Sequence, residues 1–526
     1  MAQPTMLAQP RYPLAQPMML AEMNPSWKAT GKGRFETGLG NAGGSAQTLF
    51  MALRWSSPWT GKRQWVMNFG QWGTGAEHWL WQGGDTIQFG KWGGGQISNA
   101  PMSGASVLAT VYEGGTFKLY LDGKLVKSSN SVNLNIVRPV IHVGMQPPGW
   151  SESDFNGPIF ETQLFMKPLN DGEVESQSLA LMAKYENTPD FSAKGKGRFE
   201  TGLGNAKGSA QTIFMALRWS SDWAGRRQWL LKFGQWDTGA EHWLWQGGDN
   251  IQFGAWGGGQ IRNAPMSGCS VLATVYEGST LKLYIDGNLV SSSTGVNFNI
   301  VRPVIHVGKQ PPGWSESDFN GPIFETQLFM DAFDDGQVKS RSLALMAQYE
   351  NEPDWKASGK GDHDTGLVLR GRRHTVVMAL RWSSQWDERR QWVLNFGPWG
   401  GGSEHWLWGG KDSIQFGRWG GQQISDAPMY NTDVVVAVYD GSTYTLYLDG
   451  EKAASTGSFS LDIRDSWMHV GKQPPGWSES DFNGPIFETQ LFLDPLNADK
   501  VASLSRALKK KYKNEPGYSP WGYPEP

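Results

Sequence analysis

A single cysteine, Cys269, stands in a chain of 526 residues. With no second thiol, an internal disulfide and a cysteine zinc site are both excluded. Excess charge is missing too: 47 Lys and Arg face 50 Asp and Glu, for a formal net charge of −3. That balance provides no basic field for a phosphate backbone, so nucleic acid is not an expected partner. The one basic cluster, Arg506 with Lys509, Lys510, Lys511 and Lys513, falls at the end of an expected helix. Cations there complement the helix dipole. No apolar run is long enough to span a membrane. The N-terminus has neither the charged start nor the continuous apolar stretch of a signal peptide. No Asn-X-Ser/Thr acceptor occurs. Together these absences favour an intracellular or assembly-associated setting over secretion.

What the chain does have is glycine, aromatic residues and repetition. Its 67 Gly and 28 Trp suit packed strands joined by tight turns. Gly-Lys-Gly-Arg-Phe-Glu-Thr-Gly-Leu-Gly starts at Gly31 and again at Gly195. Glu-His-Trp-Leu-Trp starts at Glu77, Glu241 and Glu404. A run of twenty residues, Gln-Pro-Pro-Gly-Trp-Ser-Glu-Ser-Asp-Phe-Asn-Gly-Pro-Ile-Phe-Glu-Thr-Gln-Leu-Phe, is identical from Gln146, Gln310 and Gln473. The spacings of 164 and 163 residues suit complete domains rather than solenoid units. The reading is an arm over 1–26, repeats over 27–189, 190–353 and 354–516, and a tail over 517–526. Ala-Gln-Pro recurs in the arm at Ala2, Ala8 and Ala15, with Met and Leu between. Proline at that density disfavours helix and strand, leaving a disordered tail or an extended arm that docks on a partner. The aromatic tail, Gly517 to Pro526, poses the same choice.

Short alternating runs predict strands in the first repeat over Leu49–Trp55, Arg63–Phe69, Glu77–Gln82, Thr86–Gly90, Ser106–Tyr112, Thr116–Leu121, Val137–Val143 and Pro158–Met166. Their spacing indicates a sandwich or barrel. Asp122-Gly123 is a hairpin signal, repeated at Asp286-Gly287 and Asp449-Gly450. A helix closes each repeat: Val174, Leu181 and Tyr185 share one face, as do Val338, Leu345 and Tyr349, and Val501, Leu508 and Tyr512. Proline-containing breaks at Pro189, Pro353 and Pro516 follow, and such short joints predict a semi-rigid rod or arc. Cys269, matched by Ala105, reads as a small core residue.

Three stretches of each repeat resemble the laminin-G-like, concanavalin A-like jelly-roll family. In the first repeat they are Val107–Val126, Val140–Gly144 and Phe155–Phe165. The resemblance implies an all-β chain: three tandem concanavalin A-like β-sandwich (jelly-roll) domains, each closed by a short C-terminal helix. It also implies a concave face or loop rim that binds glycans, proteins or calcium in different members, with no single ligand fixed by the fold. Where members often carry an acid before the glutamate of the last strand, this chain has Phe160, Phe324 and Phe487. The role of that acid is therefore not carried over.

The strongest candidate site is the loop from Gln146 to Gly157. Pro147-Pro148-Gly149 stiffens its approach and holds Trp150 out of regular structure, with Glu152, Asp154 and Asn156 close behind. A ring beside carboxylate and amide groups suits a sugar, whose apolar face stacks while its hydroxyls are fixed. Trp314, Glu316, Asp318 and Asn320, then Trp477, Glu479, Asp481 and Asn483, repeat the set. Docking of each loop on a neighbouring domain or chain accounts for the same identity. Trp79 with Trp81 shares one strand face, a sugar platform or, by burial preference, core. His78 and His142 and their counterparts lack zinc spacing and read as hydrogen-bonded structural residues. Gly38–Gly43 matches a nucleotide-binding glycine pattern by letters alone, and Lys207 breaks it in the second repeat.

Catalysis needs a placed acid–base pair. Glu152 and Asp154 have the two-residue spacing that sandwich-fold glycosidases use on a strand, but they precede the strand. Glu161 stands alone among apolar neighbours. The chain therefore reads as a non-enzyme with no required cofactor, calcium in a loop staying open. Its expected role is multivalent binding of a glycan. The alternative is a scaffold or assembly subunit, with a protein partner held through the arm and tail.

Overall fold

The computed structural model describes residues 23–515 except 55–62, 72–76, 84–85, 92–94, 103–105, 138–139, 156, 204–209, 220–226, 235–240, 248–249, 256–258, 267–268, 299, 301–303, 383–388, 398–403, 411–412, 419–421, 430–431 and 459. In the first repeat the strands are β1 Trp27–Thr30, β2 Gly33–Glu36, β3 Gln47–Leu53, β4 Gln64–Phe69, β5 Glu77–Gly83, β6 Thr86–Gly90 and β7 Gln96–Pro101. They continue with β8 Val107–Glu113, β9 Thr116–Leu121, β10 Lys124–Ser129, β11 Val140–Val143, β12 Ser153–Asp154 and β13 Ile159–Phe165. Helix α1 spans Asp171–Tyr185, and its counterparts are α2, Asp335–Tyr349, and α3, Ala498–Tyr512.

Two sheets form each sandwich. One has the order β1-β13-β3-β8-β9-β10; the other runs β2-β11-β4-β5-β6-β7, with β12 beside β4. The other two repeats keep both orders, and the third adds a pairing of Leu369–Arg370 with Asp462–Ile463. Pairing is antiparallel except for β12, which runs parallel to β4. The first sheet is buried on both faces, which is why β3 is buried at every position. Leu49, Met51 and Leu53 face the second sheet, while Phe50 and Ala52 face α1. A period-2 chain with apolar residues at both parities follows directly from that double burial.

All eight expected strands form, Thr86–Gly90 and Thr116–Leu121 with the expected bounds and the others with shifted ends. The run read as Val137–Val143 is a strand only from Val140. The reading over Leu49–Trp55 reaches Trp55, which lies outside the described residues. The sequence missed β1, β2, β7 and β12. The first two are edge strands with only alternate positions half-buried, held by β13 and β11. Strand β7 carries Asn99 at φ 54 and ends on Pro101, local signals that oppose a strand. The Asp122-Gly123 hairpin forms with both φ values positive, 49 and 83. Asp122 Oδ1 also accepts from Ser106 N at 2.9 Å and Val107 N at 2.8 Å, tying the turn to β8.

Each helix lies on the outer face of the first sheet through Val174 and Leu181, or their counterparts. Asn170 caps α1: its side chain accepts from Glu173 N at 3.0 Å, and Glu173 Oε2 accepts from Asn170 N at 2.9 Å. Asn170→Ala removes the acceptor of Glu173 N and is expected to cost about 1 kcal/mol in chemical denaturation. Cys269 sits in the core of the second repeat, where burial pushes its thiol well above the ordinary range. Among the described residues no helix is long and apolar enough to cross a membrane.

Candidate binding loops

The Gln146 loop connects β11 to β13 through the two residues of β12. Pro147 and Pro148 hold it extended, and Gly149 turns it at φ +90. Side chains of the loop then tie it to itself. Asp154 Oδ1 accepts from Gln146 N at 2.9 Å. The Gln146 amide nitrogen, in the orientation that satisfies both of its polar atoms, donates to Trp150 O and Glu152 O. Ser153 N donates to Arg63 O, and Phe155 N to Gly144 O. Phe155 is buried, and a Cβ on Gly157 would meet Arg54 O at 2.1 Å. The loops from Gln310 and Gln473 repeat the aspartate and glutamine bonds. Much of their identical sequence therefore has an architectural cause.

Trp150 lies outside strand and helix but does not stand alone. Its ring meets the buried Trp65 edge-on, with centroids 6.2 Å apart. Trp314 on Trp229 and Trp477 on Trp392 repeat this at 6.1 Å. One ring of each pair closes the core and the other stays half-buried at the surface. Glu152, Glu316 and Glu479 are also half-buried, and in each the Oε2 atom is shielded from solvent with no hydrogen-bond partner among the described residues. A shielded carboxylate oxygen without a donor is costly, and it recurs three times beside a tryptophan.

The aspartates divide the loops. Lys309 pairs with Asp318 at 2.6 Å and Lys472 with Asp481 at 2.7 Å. Met145 takes the lysine's place in the first repeat, and Asp154 is exposed. The asparagines divide them again. Asn156 lies outside the described residues. Asn320 Oδ1 accepts from Val368 N of the next repeat at 3.3 Å, whereas Asn483 is exposed.

A lysine absent from the sequence-based site supports each loop from below. Lys32 Nζ donates to Phe155 O at 2.7 Å, Lys196 to Phe319 O at 2.9 Å and Lys360 to Phe482 O at 2.8 Å. Lys32 reaches across to Gly202 O of the second repeat as well, at 3.0 Å. Burial lowers Lys32 and Lys196 to about 8. The signal for these lysines was Gly-Lys-Gly at 31, 195 and 359, more than a hundred residues from the loops it braces.

The other candidates separate cleanly. Trp79, Trp243 and Trp406 are core; the side chains of Trp81, Trp245 and Trp408 lie outside the described residues. His78 is buried with Nδ1 2.6 Å from Asn68 Oδ1, and burial lowers it to about 4. His469 lies 2.7 Å from Asp362. Glu161 is not alone, contrary to the expectation from its neighbours in sequence. Lys184, Tyr185 and Gln163 all donate to it. Burial opposes its charge, but those donors outweigh burial and hold its carboxyl below the ordinary range. The partners come from α1, which local sequence does not reveal. Among the described residues no group of three His, Cys, Asp or Glu side chains is placed to hold a metal.

Three sandwiches with loop rims at their sheet ends define a β-sandwich of the lectin-like class. The chain belongs to the concanavalin A-like lectin/glucanases superfamily, a laminin G model of which matches residues 31–175, 194–339 and 360–502. Among solved structures it is similar to domains LG4-5 of the mouse laminin alpha1 chain, at 15% identity and TM-score 0.27 over 61% of this chain and 96% of that one. It is also similar to the CBM40 of the Ruminococcus gnavus IT-sialidase bound to alpha2,3 sialyllactose, at 17% identity and TM-score 0.23 over 29% and 95%. The botulinum neurotoxin serotype G binding domain matches at 10% identity and TM-score 0.24 over 55% and 84%. No curated protein matches the chain.

Proposed function

We propose that the chain is a non-catalytic, multivalent binding protein that recognises carbohydrate through its three tryptophan loops. One observation carries this reading: in every loop a half-buried ring is followed two residues later by a shielded carboxylate oxygen that has no donor among the described residues. A sugar can lay a C–H face against the ring and donate a hydroxyl to Glu152, Glu316 or Glu479. Asp154 and its counterparts are already engaged with backbone and serve the loop's shape rather than acid–base chemistry. Three weak sites on one chain raise the avidity for a polymeric glycan through effective concentration. A glycan array followed by titration calorimetry tests this. Glu152→Gln, Glu316→Gln and Glu479→Gln together are expected to weaken binding by roughly tenfold or more, the worth of a charge-assisted hydrogen bond. Absence of any saccharide binding above the millimolar range sinks the reading.

A second reading, a scaffold or assembly subunit, is favoured by Lys32 on Gly202 and Val368 on Asn320, which put the loop bases against the following repeat. Deleting 1–26 or 517–526 and measuring particle mass and co-purifying proteins tests it. Unchanged mass and partners count against it.

A further inference from the structure

The two joints between repeats share an arginine clasp. Arg54 Nη2 donates to the carbonyls of Tyr185, Glu186 and Thr188 at the end of α1. Its Nε is 3.4 Å from Asp190 and its Nη1 3.7 Å from Asp331, both on the second repeat. Its guanidinium lies over Phe160 of its own repeat and Phe329 of the next. At the second joint Arg218 donates to Tyr349 O and Glu350 O and is 3.4 Å from Asp354. Asp494 borders the same cleft, and Lys500 adds a bridge of 3.2 Å to Glu350.

The aspartates have a second task that separates their charge from their shape. Asp190 accepts from Met330 N and Asp354 from Leu493 N, closing the first strand of each repeat on its last. Ser26 does the same in the first repeat, accepting from Met166 N at 3.1 Å. A neutral hydroxyl therefore suffices for the backbone. Burial of Asp190 and Asp354 penalises their charge and pushes them up to about 6 and 7. The charge is present where an arginine meets it, at Asp190 and Asp354, and absent at Ser26.

Both outer faces depart from the joint pattern. On the upstream face of the first repeat, Ser26 and Lys167 stand where the later repeats have Asp190 with Asp331 and Asp354 with Asp494. On the third repeat the clasp residue is Arg381, and its Nη2 lies 3.8 Å from Asp433 of its own repeat. Asp433 replaces Ser106 and Ser270. One end has thus lost its acids and gained a cation, while the other has gained an internal acid for its arginine. A head-to-tail contact that stayed competent at both ends would extend into filaments.

We propose that the arginine clasp is a docking surface whose partner is the following repeat of the same chain, and that the altered faces of the first and third repeats refuse a second copy. The test uses the full chain with Asp190→Ser and Asp331→Lys, which give the first joint the residues found at Ser26 and Lys167 on the first repeat. A glutamate-specific protease is expected to cut at Glu186 several-fold faster, with cutting at Glu350 in the second joint as the unchanged internal control. Arg54→Gln, which alters no residue of the second repeat, is expected to give the same gain. Cutting at Glu186 no faster than in the native chain, in both variants, overturns the clasp. In sedimentation, the native chain is expected to keep a single-chain mass as concentration rises. Concentration-dependent growth that Arg381→Ala abolishes overturns the proposed termination.

Discussion

Trp65→Ala is expected to destabilise the first repeat by about 3–5 kcal/mol, the usual cost of emptying a large aromatic site in a packed core. Trp65 is 1% exposed on β4. Its ring meets His78 edge-on at 5.8 Å and supports Trp150 at 6.2 Å. Truncation therefore opens a cavity and also removes the floor of the loop. In a thermal scan the first repeat is expected to unfold roughly 10 °C earlier than in the native chain. The cores of the other two repeats are separate clusters, so their transitions are expected to stay in place. A single unchanged transition contradicts this. Trp150→Ala provides the comparison: it keeps the core ring, so a small stability change with loss of saccharide binding assigns the outer ring to ligand.

Glu77 is the second. It is fully buried between the sheets and accepts from Gln47 at 2.6 Å, Thr110 at 2.7 Å and Trp79 at 2.9 Å. Gln47 and Thr110 belong to one sheet and Glu77 to the other, so the carboxyl joins the sandwich through its middle. Glu77→Ala strands three buried donors at about 1–3 kcal/mol each before relaxation, and a net loss of about 3–5 kcal/mol is expected. Burial raises Glu77 from 4.5 to about 7, against the lowering pull of its three donors. The folded state therefore binds the proton more tightly than the unfolded state. Its contribution is greatest below about 4.5, falls as pH rises from there to about 7, and is level above that. Denaturation of the first repeat across that window is expected to show the decline, and Glu77→Gln to remove it. An unchanged slope in the variant assigns the titration elsewhere.

How much of this was legible beforehand depended on distance along the chain. The repeats, the Asp122 hairpin and the closing helices are local patterns, written in identity, turn residues and helical spacing. Strands β1 and β2 were not legible, because four half-exposed residues become a strand only beside β13 and β11. Glu161 looked isolated because Lys184 and Tyr185 arrive on α1, a helix that folds back onto its sheet. The loop residues Trp150, Glu152 and Asp154 were gathered as one constellation by their spacing, but their division of labour was not visible. Asp154 shapes the loop, and Trp150 shares its ring contact with a buried partner on β4.

The sequence by itself determined three copies of a two-sheet sandwich, since period-2 burial and exact repetition are properties of neighbours in the chain. Only the tertiary structure decided what the solitary charges do. Lys32 under the loop, Arg54 at the joint and Glu77 between the sheets each find partners tens of residues or more away. A buried charge is tolerated only where such partners converge, and convergence is a property of packing that no local pattern contains.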